Sequence, residues 1–112
     1  MKLVNAIINP YRLTDLREAL SNLGDYGLTV TEVKGYGRQK GHKEIYRGAE
    51  YQISFVPKLS LELVIADDKL EEVVSCISDT VRTGKIGDGK IFISTVEQAI
   101  RIRTAEEDDT AL

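Results

Sequence analysis

The sequence predicts an α+β sandwich: β-α-β, a long charged loop, then β-α-β again. Three observations carry this expectation. Two apolar stripes recur at helical spacing, each between segments that follow the two-residue period of strands. A charged stretch of roughly 18 residues interrupts the pattern midway, beyond the roughly 12–15 residues above which irregular loops are uncommon in compact domains unless functional. At 112 residues, the chain matches one domain, here spanning 1–112.

The elements follow in order. "KLVNAIIN" (2–9) alternates as a strand and ends before Pro10, whose missing N–H suits an edge or an end. Leu13, Leu16, Leu20 and Leu23 then mark a helix, with Thr14 as its N-cap and Gly24 as its stop. "LTVTEVKGYG" (28–37) returns to period two among β-branched residues. From Gly37 to about Ser54 no pattern survives, and a third strand follows at "FVPKLSLELVIA" (55–66). Asp68 and Glu71 resemble a capping box, and Leu70, Val73, Val74, Ile77 and Val81 form the buried stripe of a second helix. "KIFIS" (90–94) is a strand, and "VEQAIRIRT" (96–104) reads as a short helical turn and a short final strand. Each half reads as a parallel strand pair with a crossover helix, and right-handed crossovers fold the halves into one antiparallel sheet with helices on one face, a ferredoxin-like sandwich. Apolar residues on both parities of "LELVIA" call for burial of the second sheet face, so a homo-oligomer, most simply a ring, is expected.

Composition narrows the function. The chain is 42% apolar and 29% charged, as soluble globular domains are, and holds no apolar run near the ~20 residues of a membrane span. No signal-peptide pattern opens it, so the cytoplasm is expected. The single cysteine, Cys76, lies among apolar helix positions and reads as an inert core thiol. The net charge of −3 conceals cationic clusters, which suit a small anionic ligand better than a long polyanion.

One cluster carries chemistry. Gly84-Lys-Ile-Gly-Asp-Gly-Lys90 fits G-x-x-x-x-G-K, but Ile91 stands where a phosphate-binding loop needs Ser or Thr, and a strand follows where that loop needs a helix. An NTPase reading therefore fails, while the physical content remains: glycines let main-chain N–H groups crowd an anion, and lysines add charge. Arg101 and Arg103, alternating on the expected last strand, would share a face. By itself the stretch is also compatible with a plain helix-to-strand turn bearing solvated lysines. "KGYG" (34–37) matches the start of an RNA-recognition signature, yet the aromatic half that stacks bases is missing and the strand is the wrong one, so no nucleic-acid partner is expected. No Ser-His-Asp grouping or metal-ligand spacing appears, and the one histidine, His42, lies in the long loop.

Taken together, "TVTEVKGYGRQKGHKEIYRGAEY" (29–51), "RTGKIGDGKIFIS" (82–94) and "IRIRT" (100–104) resemble the PII family of nitrogen signal-transduction proteins, along the whole chain. The resemblance implies a non-enzymatic homotrimer of ferredoxin-like subunits, with a T-loop at about 37–55, a phosphate cradle at about 82–90 and a C-terminal segment at about 102–112. It implies ATP or ADP in the clefts between subunits and, with Mg-ATP, the effector 2-oxoglutarate. By position, Gly87, Gly89 and Lys90 are implied phosphate contacts, joined by Arg38 and by Arg101 and Arg103 of a neighbouring subunit; Asp88 is implied in nucleotide binding with them, and Thr29, Gly35, Gly37 and Val64 line the adenine and ribose side. Gln39 is the implied Mg²⁺ ligand and approaches 2-oxoglutarate, with Lys40, Gly41 and Lys58. Tyr51 falls at the tyrosine that many bacterial relatives uridylylate. The implied partners are an ammonium channel, enzymes or regulators of nitrogen metabolism, and a uridylyltransferase, with any membrane association through a partner. Asn9 stands where a lysine or arginine is usual near the 2-oxoglutarate site, which lowers the affinity expected for that metabolite. A nucleotide sensor that does not answer to 2-oxoglutarate is therefore the alternative. Ala49 excludes the serine that some relatives phosphorylate, and Ala105 replaces a usual glycine.

Overall fold

The computed structural model describes residues 1–36, 44–46, 49–51 and 55–112. Its elements are β1 (Lys2–Ile8), α1 (Leu13–Leu23), β2 (Thr29–Gly35), β3 (Glu44–Tyr46), β4 (Ala49–Tyr51), β5 (Val56–Ile65), α2 (Leu70–Val81) and β6 (Lys90–Thr95). Four strands form one sheet in the order β2-β5-β1-β6, every ladder antiparallel. This is the ferredoxin-like βαββαβ fold.

The pairing within each half differs from expectation. The strands of a β-α-β unit are not neighbours: β5 lies between β1 and β2, and β1 lies between β5 and β6. Each half thus inserts a strand into the other, and neither can form its ladder alone. β1, bonded on both sides, is buried on one parity at Val4, Ala6 and Ile8. These meet Leu59, Leu61, Leu63 and Ile65 of β5, and Leu16, Leu20, Val73, Ile77 and Val81 of the two helices close the core. The α2 stripe falls as its 3.6-residue period requires, with Leu70 and Val74 half-buried at its margin. Leu23 of the α1 stripe is exposed instead. Cys76 is a half-buried free thiol packed against the core.

Both expected helix caps are replaced by 3-10 turns. Pro10–Arg12 leads into α1 and Asp67–Lys69 into α2, so Arg12 and Lys69 occupy the cap positions and neither makes a side-chain cap bond. Thr14 is already inside its helix. Asp68 belongs to the second turn, whose neighbour Asp67 pairs with the Met1 ammonium at 2.9 Å. Gly24 ends α1 as expected, its N–H donating to the Leu20 carbonyl at 3.2 Å.

The C-terminal stretch also departs from expectation. Residues 96–104 form neither helix nor strand. The Ala105 N–H donates to the Arg101 carbonyl at 2.7 Å and the Arg101 N–H to the Glu106 carbonyl at 2.9 Å, curling the chain into a tight reversal. Ala105 (φ 60°) and Asp108 (φ 57°) occupy the left-handed region that this reversal needs, and only an isolated bridge, Ile100 with Glu107, remains. Arg101 and Arg103 therefore do not alternate along a strand.

Within the long segment expected to be patternless, β3 and β4 pair as an antiparallel two-stranded ladder, Glu44 opposite Tyr51 and Tyr46 opposite Ala49. At its base the rings of Tyr36 and Phe55 meet with centroids 5.6 Å apart, tilted 55°. Such a contact adds about 0.5–1.5 kcal/mol beyond area burial and fastens the two stems of the segment together.

Candidate functional site: a glycine-lysine loop over the open sheet face

Helix α2 stops at Val81, where Arg82 turns to an extended backbone. The chain then crosses to β6 through residues 82–89. Gly84 (φ 84°), Gly87 (φ 101°) and Gly89 (φ 103°) all lie in the left-handed region, which explains the glycine spacing seen in the sequence. The glycines thus serve a turn, and one whose shape is further fixed from within. Asp88 accepts the Thr83 and Gly84 N–H groups, each at 2.9 Å, and the Thr83 hydroxyl. These bonds, the Thr83 hydroxyl foremost, hold the Asp88 carboxyl below the usual carboxylate range.

The pH dependence follows from that direction. Because the folded state depresses this pKa, its contribution to loop order is complete above the unfolded value of about 3.9 and is lost as pH falls through the lower folded value. The Thr83 and Gly84 amide resonances are expected to stay constant from pH 7 to 5 and to move only below about pH 4. Asp88→Asn should abolish that acid transition, which a pH series of two-dimensional spectra checks.

Under the loop, strand alternation turns Lys58, Ser60, Glu62 and Val64 of β5 away from the helices, opposite in parity to Leu59, Leu61 and Leu63. A lysine on that face would ordinarily be solvated. Lys58 is only 7% exposed, because its ammonium is covered: it donates to the Asn9 side-chain oxygen at 2.5 Å and to the Gly87 carbonyl at 2.5 Å. Burial pushes the Lys58 pKa down, and the Asp88 carboxylate acts the other way. Gly35, at the end of β2, packs against the same side chain, since a Cβ there would sit 3.2 Å from the Lys58 Cγ. Thr29 stands opposite Glu62, and Val64 opposite Leu3. Lys90, exposed, opens β6 opposite Ile7. A cavity of about 230 Å³ lies between the end of α2 and the start of β6, lined by Ile8, Ser78, Arg82, Asp88, Gly89 and Lys90 among others.

The structure thus brings Gly35, Lys58, Gly87 and Asp88 into one neighbourhood, with Gly89 and Lys90 following directly in the chain. Arg101 and Arg103 lie apart in the C-terminal reversal, where the Arg101 guanidinium donates to the Ala111 and Leu112 carbonyls at 3.3 and 3.0 Å. Gly37, Arg38, Gln39, Lys40, Gly41 and His42 fall outside the described residues, and of Tyr51 only the backbone, at the end of β4, is described. One participant escapes sequence reasoning: Phe55 reads as an ordinary first residue of a strand, and its partner Tyr36 is distant in the chain. Asn9 is marked by the resemblance as a neutral substitute near the site, but its contact with Lys58 is not legible in the sequence.

A ferredoxin-like sheet whose second helix runs into a glycine-lysine loop over the open face, with a long insertion between its halves, defines a class. The chain belongs to the nitrogen regulatory protein P-II family, whose model matches residues 1–106. It is 60% identical to the nitrogen regulatory protein GlnK of Escherichia coli (strain K12) over 112 residues, the full length of both chains. It is 58% identical to nitrogen regulatory protein P-II of Klebsiella oxytoca and 54% identical to that of Pasteurella multocida (strain Pm70), each again over the full length of both chains.

Proposed function

We propose that this chain is a non-enzymatic sensor that binds ATP or ADP at the glycine-lysine loop and regulates target proteins through the segment between β2 and β5. The observation that carries this reading is the loop itself: three glycines at positive φ, closed by Lys90, beside a buried ammonium at Lys58. Main-chain N–H groups of 87–89 and the Lys90 ammonium suit phosphate oxygens. The Asp88 carboxylate is engaged within the loop, by the Thr83 and Gly84 N–H groups. The relatives' names as nitrogen regulatory proteins support a regulatory role.

In this reading the protein is a homotrimer. The open sheet face carries half-buried Leu3, Ile7 and Val64 and exposed Phe92, an apolar surface that a second copy would cover. Arg101 and Arg103 then reach the phosphates from the adjoining subunit, with Arg38, while Thr29, Gly35, Gly37 and Val64 flank the base and ribose. 2-Oxoglutarate, with Lys58, Gln39, Lys40 and Gly41, sits beside the nucleotide. Two such anions repel one another, and a Mg²⁺ shared with Gln39 offsets that repulsion. In this reading the phosphates and Gln39 supply its ligands; among the described residues there is no group of three His, Cys, Asp or Glu that could hold a metal. Targets, including an ammonium channel and a uridylyltransferase acting on Tyr51, would dock on the T-loop in the cytoplasm. Among the described residues, no helix is long and apolar enough to cross a membrane.

One observation favours a second reading, nucleotide sensing without a 2-oxoglutarate response: Lys58, the expected carboxylate partner, is already engaged by Asn9 and Gly87. Calorimetry with ATP alone, and with 2-oxoglutarate in the presence and absence of Mg-ATP, separates the two. Heat for ATP and Mg-ATP-dependent heat for 2-oxoglutarate is the expected result. Silence of 2-oxoglutarate in both settings selects the second reading, and silence of ATP rejects both. Light scattering is expected to give three times the 12.5 kDa chain mass; a monomer would remove the shared cleft.

A further inference from the structure

We propose that Asn9 is a positioning residue that holds the Lys58 ammonium against the Gly87 carbonyl, a three-part latch that keeps the phosphate loop in its binding shape. This inference rests on the reading of residues 82–90 as a phosphate site. Lys58 starts from the base of β5, Asn9 follows β1, and Gly87 lies in the loop between α2 and β6, so one ammonium ties three distant pieces of chain. An ammonium only donates, so the Asn9 amide must turn its oxygen toward it, as the 2.5 Å contact shows. Asn9 is well placed to do so. It precedes Pro10, which disfavours helical backbone before it, and its φ of −70° and ψ of 137° put it in that extended region.

The consequence concerns what Asn9 lends to the loop. A lysine only 7% exposed must keep its donors satisfied. With Asn9 accepting one of its three N–H donors and Gly87 a second, the ammonium stays inside and fixes the carbonyl of a glycine at φ 101°. Without Asn9, the ammonium keeps one of these two acceptors, and swinging outward to water becomes the favoured escape. The Gly87 carbonyl then loses its anchor, and the Asp88 N–H, which shares its peptide plane, no longer points in a fixed direction. Asn9 need not touch the nucleotide to influence its binding.

The test uses the full chain and ATP itself. Asn9→Leu keeps the branching at Cγ and removes the acceptor; Asn9→Asp keeps the acceptor. Asn9→Leu is expected to speed amide hydrogen exchange at residues 83–89 in the ligand-free protein and to weaken ATP binding three- to tenfold. Asn9→Asp should stay within about twofold of the parent in both measurements. Lys58→Met should loosen the loop as Asn9→Leu does, and the double variant should add nothing to the exchange rates, as members of one unit behave. Parent-like exchange in Asn9→Leu, equal losses in Leu and Asp variants, or additive effects in the double variant would each overturn the latch. If Asn9→Leu does not fold, Lys58→Met alone decides through the exchange of 83–89. If the parent protein binds no ATP, the proposed function fails, while the exchange data still judge the latch.

Discussion

Gly89→Ala is expected to lower stability by about 2–4 kcal/mol and to abolish nucleotide binding together with it. Two independent penalties coincide at this position. Gly89 has φ 103°, where an L-residue is strained, and its missing Cβ is the space that the Ile7 carbonyl occupies. Ile7 is main chain of β1, held by ladders on both sides, so it cannot retreat as a flexible side chain would. The loop must shift instead, carrying Lys90 and the start of β6 with it. A urea titration reads the loss as a lower midpoint at constant slope. Gly84→Ala is the control: that position is also at positive φ, but an added Cβ meets nothing within 4 Å, so only the conformational penalty applies. Equal midpoints for the two variants would show that the close approach of Ile7 is unimportant.

Lys90→Ala separates binding from folding. Lys90 is exposed and makes no contribution to the core, so the variant should unfold at the parent's midpoint. Its nucleotide affinity should fall by roughly 1.5–3 kcal/mol, the range for a hydrogen bond to a charged group, or about 10- to 150-fold. Lys85→Ala, in the same loop and exposed, should change affinity far less, because Lys85 stands outside the glycine turn's closing end. Calorimetry with ATP checks both. An unchanged affinity in Lys90→Ala would show that the phosphates do not lie at this loop.

Much of this architecture was legible in the residues, for identifiable reasons. Helix α2 shows itself because Val73, Ile77 and Val81 recur at its own period, and the strands because β-branched residues alternate beside turn signals. The glycine-lysine loop was legible because few other residues tolerate its backbone. What was not legible depends on contacts remote in sequence. Periodicity marks β1, β2, β5 and β6 but not their order, so the interleaving of the two halves had to come from the ladders themselves. The 3-10 turns at Pro10–Arg12 and Asp67–Lys69 displace caps that local chemistry alone would place at Thr14 and Asp68. Arg101 and Arg103 alternate as strand residues do, yet Ala105 reverses the chain at a backbone angle that its side chain does not advertise. Lys58 is marked in the sequence only by the resemblance, as a partner for 2-oxoglutarate, and nothing near it in the chain announces the Asn9 and Gly87 oxygens that bury it.

The short run Ile7-Ile8-Asn9 has a further consequence for how this protein tolerates change. Ile8 fills the core, the Ile7 carbonyl sets the floor under Gly89, and Asn9 grips Lys58, all within three consecutive residues where β1 ends. In a library screened for both cellular abundance and ligand response, substitutions along this run should move the two traits together. At Lys90, whose side chain is exposed and outside the core, response should drift while abundance holds steady. Tuning of sensitivity without loss of the folded chain therefore has its room at the rim of the loop and not along the strand beneath it.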